Sequence, residues 1–90
     1  MNQLTRHLIV HGRVQGVNFR NACRRQARDL GVLGWVRNKP DGTVAVHAQG
    51  PAQAVRDLVD WAHHGPRNAL VSKVEINEAE RQELERFDVR

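Results

Sequence analysis

The sequence predicts an α+β sandwich with its elements in the order β-α-β-β-α-β. Three features predict it: two segments carry helical apolar spacing, four others read as strands, and an Asp-Gly turn joins two of those strands directly. Ninety residues, 40% hydrophobic and 27% charged, suit one core, so residues 1–90 are expected to form a single domain.

Leu8, Ile9 and Val10, between His7 and His11, read as the first strand, which ends at Gly12. From Arg20 to Leu30 the apolar residues Cys23, Ala27 and Leu30 recur at i, i+4 and i+7, while Arg24, Arg25 and Arg28 fall elsewhere on the wheel. That is an amphipathic helix, and Gly31 is its natural C-terminal stop. Leu33–Asn38 and Thr43–Gln49 bracket the segment KPDG, in which Asp41-Gly42 is a strong hairpin signal. Gly50-Pro51 is expected to open the second helix, with proline preset for its first position. Val55, Leu58, Val59 and Ala62 form the buried stripe of that helix, and Gly65-Pro66 ends it. Leu70–Ile76 alternates as a fourth strand, and FDVR at residues 87–90 offers a short fifth. This order gives an antiparallel sheet with both helices on one face, and it places the third strand between the first and second.

The topology brings two segments to one edge. The loop after the first strand and Asn38 at the end of the second are two strand spacings apart, about 10 Å, near enough to share a small ligand. In the loop, Gly16 permits close backbone approach, and the amides from Gln15 to Arg20 lie where a strand turns into a helix. The positive end of the helix dipole and the forked donors of Arg20 make this a candidate anion cradle. By itself a glycine-containing strand-to-helix turn is an ordinary tight connection, and an asparagine beside a hairpin is an ordinary turn residue.

Together they are more specific. GRVQGVNFR (Gly12 to Arg20) and GWVRNKPDGTV (Gly34 to Val44) resemble the two signature segments of the acylphosphatase family, in the right order and at the right separation. Gly50-Pro51, Gly65-Pro66, Val74-Glu75 and the terminal strand extend the resemblance over nearly the whole chain. It implies a ferredoxin-like fold and hydrolysis of a small acyl phosphate to a carboxylate and inorganic phosphate, the latter also a competitive inhibitor. It implies that Gln15, Gly16, Val17, Asn18, Phe19 and Arg20 hold the phosphoryl group and that Asn38 orients the attacking water. It departs from the family pattern at Ala45, Gln49 and Arg67-Asn68, none of which belongs to either motif.

The chemistry accords with what the motifs lack. A carboxylate leaving group has a conjugate acid of pKa roughly 4 to 5, so no general acid is needed. Positioning and electrostatic stabilisation of a loose transition state carry such a reaction. No cofactor and no metal are therefore expected. His7, His11 and His47 share a parity opposite Leu8, Val10, Val44 and Val46, and are read as solvated histidines on the helix-free face rather than ligands. His63-His64 suits the negative end of the second helix, and Trp35 and Trp61 are read as packing residues.

The remaining composition narrows the partners. Cys23 is alone, which excludes an internal disulfide, and its helical position favours a buried packing role. No apolar stretch approaches a membrane span, and residues 1–10 lack a signal-peptide pattern, so a cytoplasmic protein without membrane partners is expected. Fourteen Lys and Arg against ten Asp and Glu give a net charge of +4, which favours anionic ligands without singling out nucleic acid. An RNA reader on this fold needs exposed aromatics on central strands, and the chain contains no tyrosine; no nucleic-acid partner is expected. A noncatalytic acyl-phosphate-binding domain is disfavoured by the presence of both motif residues, Arg20 and Asn38. A monomer is expected.

Overall fold

The computed structural model describes residues 2–90. Its elements are β1 (Gln3–Arg13), α1 (Phe19–Leu30), β2 (Leu33–Asn38), β3 (Val44–Pro51), α2 (Ala52–Ala62), β4 (Leu70–Glu78) and β5 (Phe87–Val89). The strands form one sheet in the order β4-β1-β3-β2-β5. The first four pair antiparallel, as expected for a ferredoxin-like sandwich, whereas β5 pairs parallel with β2 and makes the sheet mixed.

Alternation builds the core. Leu8 stands opposite Val46, Val10 opposite Val44, and Val36 opposite Val46, so the even-numbered residues of three adjacent strands form one apolar surface. Both helices cover it: Phe19, Cys23 and Ala27 of α1 and Val55, Leu58 and Ala62 of α2 join these strand residues in one buried cluster. Burying a side chain such as Phe19 or Leu58 stabilises the fold by about 1.5–3 kcal/mol each. Gly31 closes α1 in the left-handed region with its N–H on the Ala27 and Arg28 carbonyls, while His63 caps α2 and its Nδ1 lies 2.9 Å from the Val59 carbonyl. Trp61 packs tilted against Phe19, with ring centroids 5.3 Å apart.

Three expectations need correction. The first strand is much longer than its apolar centre, because polar residues at its ends still complete the ladders with β3 and β4. Pro51 does not begin the second helix; it is extended (φ −54°, ψ 137°), ends β3 and caps the helix that starts at Ala52. The helix-free face is not bare. Residues 79–86 must carry the chain from one sheet edge, at β4, to the other, at β5, and they cross that face on the way. Ala45, His47 and Gln49 are consequently buried, so His47 is not a solvated histidine. It stacks on Trp35, with ring centroids 5.8 Å apart, while His11 stays at the surface and pairs with Glu75.

Candidate active site

Because β3 lies between β1 and β2, the last residues of those two parallel strands reach the same edge of the sheet. There the loop joining β1 to α1 and the end of β2 enclose a cavity of about 240 Å³. Its walls are Val14, Gly16, Asn18, Phe19, Arg20, Asn21, Asn38 and Val89. That size suits a phosphoryl group with a small organic substituent.

The loop conformation explains why these residues converge. Gly16 (φ 73°) and Asn18 (φ 68°) both adopt the left-handed region, which winds the loop tightly. Asn18 occupies the N-cap of α1, yet its side chain makes no capping hydrogen bond and the first turn holds no acidic residue. The first-turn amides are therefore available to an anion at the positive end of the helix.

Arg20, in that same turn, adds a permanent charge. Its Nη1 donates to the main-chain oxygen of Arg90 at 3.1 Å, so the residue after β5 steadies the guanidinium, and β5 itself contributes Val89 to the wall. Across the cavity, Asn38 Oδ1 is buried and has no donor among the described residues. A buried acceptor in that condition is costly unless something in the cavity donates to it.

Among the described residues, no carboxylate, imidazole or thiol side chain lines the cavity. Asp41, the nearest acid in the second motif, is committed to its turn: Oδ1 accepts from the Thr43 hydroxyl at 2.6 Å and from the Thr43 amide at 3.0 Å. Those hydrogen bonds hold its carboxyl below the ordinary carboxylate range. Burial pushes the Cys23 thiol up to about 12, which makes it an inert packing group. Among the described residues no three His, Cys, Asp or Glu side chains come together as a metal site.

A model of the acylphosphatase family matches residues 6–89, a span that contains the loop, Arg20 and Asn38. The chain belongs to the acylphosphatase family. An acylphosphatase of Acidovorax sp. (strain JS42) is 52% identical over 87 residues, covering 97% of this chain and 90% of the relative. One from Thermococcus kodakarensis (strain ATCC BAA-918 / JCM 12380 / KOD1) is 49% identical over 89 residues, covering 99% and 98%. Among solved structures, an acylphosphatase from Coxiella burnetii superposes with a TM-score of 0.94 at 37% identity, covering 99% of this chain and 94% of that one.

Of the residues that the acylphosphatase motifs single out, Gly16, Asn18, Phe19, Arg20 and Asn38 meet at the cavity. Gln15 and Val17 are not part of its wall. Val17 packs against the core, and the Gln15 carboxamide points to the β2–β3 hairpin. Val14, Asn21, Val89 and Arg90 lie at the site although the motifs do not single them out. Val14 and Asn21 flank the motif and follow from its geometry, whereas Val89 and Arg90 reach the site only through the parallel pairing of β5 with β2, for which the sequence has no local signal.

Proposed function

We propose that this acylphosphatase-family chain hydrolyses small acyl phosphates to a carboxylate and inorganic phosphate, with Arg20 and Asn38 carrying the reaction. The observation that supports this most is the pairing, across one cavity, of a cationic amide-rich loop with a buried, unpartnered acceptor, Asn38 Oδ1. An anion held by the loop and a water held by Asn38 would then face each other across the cavity.

In this reading the amides from Gly16 to Arg20 and the Arg20 guanidinium bind the phosphoryl oxygens. Asn38 Oδ1 accepts a hydrogen bond from the attacking water and turns its lone pair toward phosphorus. The water oxygen bonds to phosphorus as the bridging P–O bond breaks, and the electron pair leaves on the carboxylate oxygen. One water proton stays on the new phosphate; the other passes to a phosphoryl oxygen or to solvent, since the described residues of the cavity wall include no carboxylate or imidazole base. A weakly basic leaving group lets the reaction proceed without a protein acid. The substrate is a small molecule, the product phosphate competes for the same loop, and one copy of the chain contains every group invoked.

The test is hydrolysis of an aryl acyl phosphate by the wild type and by Asn38→Ala. The wild type should turn over and be inhibited competitively by phosphate, and Asn38→Ala should lose on the order of 10² to 10³ in kcat, by comparison with removal of an oxyanion donor. Near wild-type turnover by Asn38→Ala would remove Asn38 from the mechanism.

A further inference from the structure

The two halves of the cavity belong to different strands, and something must hold them at a fixed separation. The Gln15 carboxamide bridges them. Its Nε2 donates to the Lys39 carbonyl at 2.8 Å and to the Thr43 carbonyl at 2.9 Å, so both amide hydrogens are committed to the hairpin that begins immediately after Asn38.

Those two carbonyls close the hairpin. The Thr43 carbonyl accepts the Lys39 amide at 2.9 Å, and the Lys39 carbonyl accepts the Gly42 amide at 3.1 Å. Each has a second lone pair, and Gln15 takes both. The Lys39 amide belongs to the same peptide unit as the Asn38 carbonyl, so fixing Lys39 at its N–H and its C=O fixes the backbone on which the Asn38 side chain turns. Gln15 itself immediately precedes Gly16, the left-handed residue that shapes the loop. A displacement of either half relative to the other strains this bridge.

We propose that the Gln15 side chain is a positioning residue: it sets the distance and angle between the anion-binding loop and Asn38, and it does not bind the phosphoryl group. The proposal rests on the acyl phosphate reading of the cavity. Its consequence is a division of labour within one motif, in which the loop amides and Arg20 determine affinity while Gln15 determines alignment of the water with a group already bound. Misplacement of a reacting group by about 1 Å can cost up to 10²-fold in rate with little change in binding.

Gln15→Met keeps the length of the side chain and removes both donors. With an aryl acyl phosphate, kcat should fall by roughly tenfold or more while the phosphate inhibition constant stays within about twofold. Added to Asn38→Ala, the same substitution should cost almost nothing more, because there is no longer an oriented water to misalign. Losses that multiply in the double variant, an unchanged kcat, or a phosphate constant that rises in step with the fall in rate would each overturn the positioning role. If Gln15→Met does not fold, phosphate titration of the wild type followed by ¹⁵N NMR decides: the Gln15 side-chain amide should move far less than the loop backbone amides, and equal movement would overturn the proposal. A wild type with no acyl phosphate turnover would instead overturn the underlying reading, and the positioning role with it.

Discussion

Gln49 grips the backbone of Gln82 at both ends: its Nε2 donates to the Gln82 carbonyl at 2.7 Å, and its Oε1 accepts the Gln82 amide at 2.9 Å. A buried side chain on β3 thereby substitutes for a neighbouring strand and pins the crossing segment to the helix-free face. The pairing also fixes the amide orientation, so His47 Nε2, 2.8 Å from the same Oε1, must carry the proton, which leaves His47 Nδ1 as a buried acceptor without a partner among the described residues. Gln82 in turn accepts from Trp35 Nε1 at 3.1 Å.

Gln49→Leu should therefore destabilise the protein by about 2 to 3 kcal/mol, since it removes two backbone hydrogen bonds and strands the His47 donor. Urea unfolding of the variant against wild type measures this. A loss below about 0.5 kcal/mol would mean that the crossing segment is held by packing alone.

Arg20→Ala should weaken phosphate inhibition and lower kcat together, by on the order of 10² to 10³ in rate, because the guanidinium is read as binding the ground state and stabilising the transition state alike. Arg20→Lys should recover little of this, for a point charge cannot both donate to the main-chain oxygen of Arg90 and fork onto two phosphoryl oxygens. Inhibition constants for phosphate and kcat for an aryl acyl phosphate, measured on both variants, check it; a kcat defect with unchanged phosphate inhibition would assign Arg20 to the transition state only.

His7 lies opposite His47 on adjacent strands and edge-on to Trp35, with centroids 5.9 Å apart. Burial lowers its pKa below the ordinary 6.5, and His47, Lys39 and Arg37 add to the shift. The unfolded chain thus binds a proton more readily than the folded one between the lowered value and 6.5, so this stability is complete above pH 6.5 and declines as pH falls through that window. Asp41 and Glu75, whose carboxyls are held low by hydrogen bonds from Thr43 and His11, act in a separate and more acidic window, where stability is lost as they protonate. His7→Gln should flatten the urea midpoint against pH just below 6.5 and leave the acid limb unchanged. An identical slope in wild type and variant would contradict the assignment.

Much of this was legible in the sequence because it depends on local pattern. Helix α1 follows from the spacing of Cys23 and Ala27 with Gly31 as its stop, and the β2–β3 hairpin follows from Asp41-Gly42. The meeting of the loop with Asn38 followed from topology alone. What sequence did not reveal depends on contacts between distant residues. Nothing near His47 in the chain signals that residues 79–86 will bury it, and Gln15 looks like a loop amide until its hairpin partners, 24 and 28 residues away, are seen. Parallel pairing of β5 is likewise decided by which sheet edge lies open after the crossing, not by FDV itself.

Gly34 and Gly16 both lie in a motif, but they should respond oppositely to the same substitution. A Cβ at Gly34 would lie 1.7 Å from the His47 carbonyl oxygen and 2.8 Å from its carbon, both backbone atoms of the paired strand, with Phe87 Cε2 at 3.1 Å. The strands cannot separate there without breaking the β2–β3 ladder that carries Asn38, and Phe87 blocks movement toward β5. Gly34→Ala should cost about 4 kcal/mol or more, enough to abolish the cooperative thermal transition of a marginally stable domain. At Gly16 a Cβ meets nothing within 4 Å, and the only penalty is the left-handed φ of 73°, about 1–2 kcal/mol. Gly16→Ala should fold, with a melting temperature lower by several degrees. Circular dichroism melts of the two variants separate the cases, and a folded Gly34→Ala with a wild-type midpoint would show that the β2–β3 pairing is looser than its geometry requires.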